Sequence, residues 1–197
     1  DRMLGLYNVA VAWSEALFLL PQVLQTVLRP DLVRAGRTGA QRQTILAMRF
    51  GVLLTIPTAL LVVVFAPFLC VTLLDGEFQG AVLPLRLLTI GSVGVVAIKV
   101  YGAALLAQGR PLLDTVAVAP ALIVMLALDL VLVPVLGVVG AAVASSTSYL
   151  VGGGIAVILG LRVLGGRAGE LTPRPADVRA LFRMVRQWRP TASAIAP

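Results

Sequence analysis

Five apolar stretches of the chain are each long enough to cross a lipid bilayer. A spanning helix needs about 20 predominantly apolar residues, and the stretches cover about residues 4–28, 45–74, 82–107, 112–136 and 138–164. None of them alternates with a period of two residues, so transmembrane strands are not predicted. The predicted fold class is therefore all-α, a polytopic membrane bundle of five transmembrane helices.

The composition of the 197 residues favours the same class. Hydrophobic residues make up 59% of the chain and charged residues 13%, whereas soluble domains average about 25% charged residues. The mean hydropathy is +0.99. A soluble fold of this length has too little interior to bury so much apolar surface. We therefore expect the charges in connections between helices or at special sites.

Residue types that carry catalysis and metal binding are scarce. The chain has no histidine and one cysteine, Cys70, so it lacks the commonest metal ligand and general base and cannot form an intrachain disulfide. It has no glycine-rich phosphate loop that ends in Lys-Ser or Lys-Thr. We expect the protein not to be an enzyme and to hold no cofactor or metal ion.

The connections between the apolar stretches alternate between basic and non-basic. Residues 29–49 hold five arginines and one acid, residues 75–80 hold two acids and no base, and the turn at 108–111 holds one arginine. The fourth connection is uncharged, and seven arginines lie from residue 162 onward. Basic connections are the cytoplasmic ones, so the loop at 29–49, the turn at 108–111 and the carboxy-terminal tail are predicted to be cytoplasmic. The first helix is then predicted to run from outside to inside.

The chain is predicted to consist of a transmembrane bundle over residues 1–165 and a basic tail over residues 166–197. In the tail, PADVRALFRMVRQW at 175–188 places apolar side chains on one helical face and arginines mostly on the other. This pattern is typical of an amphipathic helix on an anionic membrane surface. A nucleic acid is not an expected partner, because the cytoplasmic position already explains the arginines.

A polar stripe follows the first apolar stretch. Asn8, Glu15, Gln22 and Arg29 recur every seven residues, which returns them to nearly the same helical face. Glu15 falls near the middle of the span, where a charge facing lipid costs a few kcal/mol or more. The stripe is predicted to line a cavity that binds substrate or couples protons. A buried polar cluster that joins helices is the alternative interpretation.

Three more charged side chains within the apolar stretches are candidates for a transport path. Arg86 and Lys99 lie in the third stretch, and Asp129 lies in the fourth. A cation that faces a cavity would attract a phosphate-bearing substrate. The alternative for both cations is that the aliphatic stem carries the charge to the membrane surface.

Small residues recur at every fourth position of the fifth stretch. They are Gly140, Ala144, Ser148, Gly152, Ala156 and Gly160. Such a ridge is typical of close packing between membrane helices, so we predict a structural function for it.

Four stretches together resemble a known family. They are LGLYNVAVAWSEALFLLPQVLQTVLRPDL at 4–32, LLDGEFQGAVLPLRLLTIG at 73–91, AALLAQGRPLLDT at 103–115 and LVLVPVLGVVGAAVASSTSYLV at 130–151. In this order they resemble the carboxy-terminal half of the polysaccharide-biosynthesis flippases. These proteins belong to the multidrug/oligosaccharidyl-lipid/polysaccharide exporter superfamily.

The resemblance implies a two-lobed transporter in a bacterial cell membrane, of which this chain would supply helices eight to twelve. The seventh helix and the amino-terminal lobe would then be missing partners. The substrate implied is a lipid-linked saccharide that passes from the inner to the outer leaflet. The family has no strict catalytic motif to carry over. From helical geometry, Asn8, Glu15, Gln22 and Gln25 would face the central cavity of such a transporter, and Arg86 could meet the diphosphate.

Other functions remain open at this point. A lipid II flippase and a cation-coupled drug exporter of the same superfamily would look similar in this half. A protein of another class, a membrane scaffold that docks glycan-synthesis proteins through its basic tail, would also carry these features.

Overall fold

The computed structural model describes residues 2–34, 36–72, 78–173 and Asp177, and these residues form helices with no strands. The five long helices are α1 (Arg2–Arg34), α2 (Gly36–Pro67), α3 (Val82–Ala107), α4 (Pro111–Leu136) and α5 (Val138–Leu164). Three shorter segments are a π-helical turn at Phe68–Thr72 and 3₁₀ turns at Gln79–Ala81 and Ala168–Leu171. The predicted all-helical bundle is confirmed.

Four helical segments of the described chain are long and apolar enough to cross a membrane. They are Gly39–Thr72, Gln79–Ala107, Pro111–Leu136 and Val138–Leu164. These helices indicate that the protein is a membrane helix bundle. The fifth predicted span, at 4–28, lies within α1 and stays a prediction. The predicted tail helix at 175–188 lies outside the described residues except for Asp177.

The arginine-rich segment 29–49 is not the loop that the sequence predicts. α1 continues to Arg34 and α2 begins at Gly36, so Arg42 and Arg49 lie in α2. Arginine is among the better helix formers, and a helix that leaves the membrane keeps its own backbone hydrogen bonds in water. The end of an apolar stretch therefore does not mark the end of a helix.

α3 and α5 are parallel and very close. A Cβ atom built at Gly91 would lie 2.9 Å from the Cα atom of Ser146, and one built at Gly160 would overlap the ring of Tyr101. Residue numbers rise together along the two helices, which fixes their common direction. Small residues at these points let the helices approach closely.

α4 and α5 form an antiparallel hairpin around Gly137. A Cβ atom built at Gly140 would overlap the backbone of Leu132, and one built at Gly152 would lie 2.9 Å from Cβ of Ala121. Gly137 has φ of +56° and ψ of −128°, a conformation that suits glycine. The one-residue connection therefore turns the chain back on itself.

α3 is the central helix of the bundle and contacts each of the other four. Most of its residues are buried, and its Tyr101, Val96 and Leu85 side chains are completely so. α4 is peripheral, because only Ala117 and Ala121 are buried in it. Its apolar outer surface suits a position against lipid.

Candidate functional site

The polar stripe of α1 lies on the outer face of this helix. Asn8, Glu15 and Gln22 are all exposed. The opposite face packs into the bundle through Ala10, Ser14, Leu17 and Pro21, which are buried. The stripe is therefore not a polar cluster buried among the five helices. Arg29 is a predicted member of the stripe and Gln25 is predicted to face the same cavity. The side chains of both lie outside the described part of the structure.

Two contacts with α5 hold α1 on either side of Glu15. The Tyr7 hydroxyl is 3.2 Å from the Ser145 hydroxyl, and the rings of Phe18 and Tyr149 meet edge to face with centroids 5.7 Å apart. The stripe is thus carried by a helix whose orientation is fixed by the bundle.

A cavity of about 310 Å³ lies between α1, α3, α4 and α5. Its walls include Phe18 of α1, Lys99 of α3, Met125 of α4, and Ser148 and Tyr149 of α5. Lys99 is the charged residue among the lining side chains. The cavity reaches α1 through Phe18, whereas Asn8, Glu15 and Gln22 are not among its lining side chains.

Lys99 is partly buried, and its ammonium has no hydrogen bond or ion pair among the described residues. The rest of the cavity surface is almost entirely apolar. A cation in such surroundings is costly in a membrane unless it reaches water or meets an anion. The Lys99 ammonium therefore favours the binding of a negatively charged group in this cavity.

Arg86, predicted to meet the substrate, has a structural partner. Its Nε atom donates a hydrogen bond to the carbonyl oxygen of Val63 in α2, at 3.1 Å. Val63 lies four residues before Pro67, and proline has no N–H to give to that carbonyl. The bond therefore satisfies a backbone group that α2 leaves open. The sequence signal for this contact is Pro67.

Asp129 lies on the face of α4 that turns towards α5. Its Oδ1 atom is buried and has no hydrogen-bond partner among the described residues. The contacts of Gly140 with Leu132 and of Gly152 with Ala121 place Asp129 at the level of Ala144.

The predicted small-residue ridge of α5 faces both neighbouring helices. Gly140 lies against α4, and Gly152 lies between Ala121 of α4 and Ile98 of α3. Ala144 and Ser148 are buried, and Ser148 also lines the cavity. The ridge thus serves packing along most of its length and forms cavity wall at one position.

Arg49, which lies in the predicted loop at 29–49, joins α2 to the chain beyond α5. Arg49 is buried, its Nε atom donates to the carbonyl oxygen of Glu170 at 2.7 Å, and its Nη1 atom lies 3.4 Å from Oδ2 of Asp177. Gln41 supports the same segment with a bond to the carbonyl of Gly165 at 3.4 Å. The apolar neighbours of Arg49 in the sequence, Met48 and Phe50, were the available signal.

The described residues offer no obvious metal site. No group of three or more carboxylate, thiol or imidazole side chains comes together among them. The polar stripe and the Lys99 cavity are the candidate sites that carry polar or charged side chains.

No protein-family model, no curated protein and no solved structure matches this chain.

Proposed function

We propose that this chain is the carboxy-terminal part of a flippase that moves a lipid-linked oligosaccharide from the cytoplasmic to the outer leaflet of a bacterial cell membrane. The observation that carries this proposal is the exposure of Asn8, Glu15 and Gln22 on one face of a helix whose other face is packed. The quoted resemblance to polysaccharide flippases supports the same function.

The chemistry of the stripe suits a sugar headgroup. Asn8 and Gln22 each offer donors and an acceptor, and the Glu15 carboxylate accepts hydrogen bonds. Sugar hydroxyls both donate and accept, so such a row can exchange contacts with a headgroup as it passes. An apolar drug would leave these groups without partners, and this favours a saccharide over a drug as the substrate.

The length of the stripe suits a path across the membrane. Asn8 and Gln22 are 14 residues apart, which is about 21 Å along a helix. The hydrocarbon core is about 30 Å thick, so the three side chains cover most of that depth. Glu15, at the centre, is costly against lipid. A second lobe that covers this face would enclose a polar path, and alternating access would open it to each side in turn.

The proposal is tested by export in the source cell. A strain that lacks the gene is complemented with the full-length gene that carries Glu15→Leu, Gln22→Leu or both. We expect the double variant to lower surface glycan at least about tenfold, as the loss of about 1.4 kcal/mol of interaction would do. Ala12→Leu, at an exposed apolar position of α1, is the matched control and should leave export unchanged.

Immunoblots of membranes measure how much of each variant is inserted. Normal surface glycan from a fully inserted double variant would overturn the flippase proposal. If deletion of residues 170–197 abolishes export while the double variant supports it, the chain is a scaffold. Accumulation of peptidoglycan precursor, in place of the surface-glycan precursor, would identify a lipid II flippase.

A further inference from the structure

We infer that the Lys99 cavity binds one anionic phospholipid, with the phosphodiester against the Lys99 ammonium and part of one acyl chain in the cavity. The inference needs only a bilayer and the cavity, so it is independent of the transported substrate. It concerns a resident lipid on the outside of the bundle, whereas the proposed transport path follows the stripe of α1.

The shape and lining of the cavity suit an acyl chain. Its volume of about 310 Å³ is at the lower end of the range for small-molecule sites, about 300–1,000 Å³. Val118 and Leu122 of α4 line it and are 41% and 55% exposed. The cavity is therefore open on the outer surface of the bundle, where a chain can enter from the surrounding bilayer.

The charge of the cavity selects the headgroup. Lys99 contributes one positive charge, and no ion pair among the described residues neutralises it. A phosphodiester carries one negative charge, so a lipid with an otherwise uncharged headgroup balances Lys99. A zwitterionic lipid brings its own cation to the same place. The single lysine thus favours a phosphatidylglycerol-type lipid over phosphatidylcholine.

The depth of Lys99 suits a lipid headgroup at the membrane surface. α3 has 26 residues, about 39 Å of helix, and so extends about 4–5 Å beyond each side of a 30 Å hydrocarbon core. Lys99 lies eight residues before the end of α3, about 12 Å along the axis. Its Cα atom is then roughly 7–8 Å inside the hydrocarbon boundary. A lysine stem directed to the surface brings the ammonium close to the phosphate layer.

Native mass spectrometry of the full chain in detergent tests the inference. The protein is titrated with phosphatidylglycerol or phosphatidylcholine of identical acyl chains, and bound lipid is counted from the mass of the complex. We expect phosphatidylglycerol to bind at least about tenfold more tightly. Lys99→Met should remove this preference, and Lys99→Arg should keep it because the charge is retained. Arg110→Met, at an exposed cation of the α3–α4 turn, should leave it unchanged.

Val118→Trp tests the acyl-chain part of the site without removing the charge. Val118 lies at the outer surface of the bundle, so the larger ring narrows the cavity and should weaken phosphatidylglycerol binding several-fold. Equal binding of the two lipids, full binding to Lys99→Met, or unaltered binding to a folded Val118→Trp would each overturn the inference. Stronger binding of farnesyl diphosphate than of phosphatidylglycerol would also overturn it, because the site would then prefer a diphosphate.

Discussion

The Nε atom of Arg86 and the carbonyl oxygen of Val63 form a hydrogen bond of 3.1 Å between α3 and α2. Pro67, four residues after Val63, cannot donate to this carbonyl as other residues of a helix would. A carbonyl without a donor is expensive in a membrane, where no water replaces the missing bond. Arg86 therefore supplies the donor that Pro67 lacks, and the same hydrogen bond joins α3 to α2.

Arg86→Met should lower the free energy of unfolding by about 1–3 kcal/mol, the cost of leaving a buried polar group without a partner. Pro67→Ala restores an N–H within α2 that can bond to Val63. In the Pro67→Ala background, the cost of Arg86→Met should fall by about 1 kcal/mol or more. Thermal unfolding of the four proteins in detergent measures this coupling. An equal cost in both backgrounds would mean that the hydrogen bond does not compensate for the proline.

Glycines at the contact between α3 and α5 should resist substitution. A Cβ atom at Gly153 would lie 2.7 Å from the carbonyl oxygen of Gly94, so Gly153→Ala must push the helices apart. We expect a loss of about 1–3 kcal/mol of stability, as overpacking costs. Gly154→Ala is the matched control, since its Cβ atom would have no neighbour within 4 Å. It should stabilise α5 by up to about 1 kcal/mol. Thermal unfolding of the two variants measures their stabilities. Equal changes in stability for Gly153→Ala and Gly154→Ala would refute the close contact between α3 and α5.

Arg49→Met should release the segment that follows α5. Arg49 is paired with Asp177 at side-chain exposures of 8% and 10%, and removal of one partner of a buried pair typically costs about 3–5 kcal/mol. Trypsin should then cleave after Arg167, an exposed residue of this segment, faster than in the parent protein. Mass spectrometry of the fragments gives the rate. Arg42→Met, at an exposed position of the same helix, should leave the rate unchanged, and a similar rise in both variants would contradict the assignment.

Asp129→Leu should stabilise the protein. The buried Oδ1 atom of Asp129 has no partner among the described residues, so its removal recovers a cost of about 1–3 kcal/mol. Asp114→Leu serves as the contrast, because Asp114 has an interaction partner and lies against Gly102. We expect this variant to be destabilised in thermal unfolding. Destabilisation of Asp129→Leu would show that the carboxyl group has an unrecognised partner.

The ranges of the helices were the most predictable part of the fold. The predicted limits of the third and fifth stretches, 82–107 and 138–164, are those of α3 and α5, because short polar or glycine-containing turns bound both runs. The segment 29–49 was wrongly predicted to be a loop, since α1 extends to Arg34 and α2 begins at Gly36. Hydropathy marks where a helix leaves lipid, whereas backbone hydrogen bonding continues through arginines in water.

The partners of the charged side chains could not be predicted. Arg86 and Lys99 lie in the same helix and look equivalent in the sequence, yet one bonds to a backbone carbonyl of α2 and the other lines a cavity. The difference depends on which helix packs on each face of α3, and helical periodicity contains no such information. The exposure of Glu15 likewise depends on which face of α1 meets the other helices.

The contact of Gly94 with Gly153 also limits how the bundle can move. Backbone meets backbone there, so no side chain can change rotamer to let one helix slide along the other. We expect α3 and α5 to move together as one rigid unit in any conformational change of the bundle. Bending is then left to other segments, and α2, with Pro57 inside its span and Pro67 at its end, is the natural hinge. In such a change, Arg86 would connect the hinge in α2 to the rigid pair of α3 and α5.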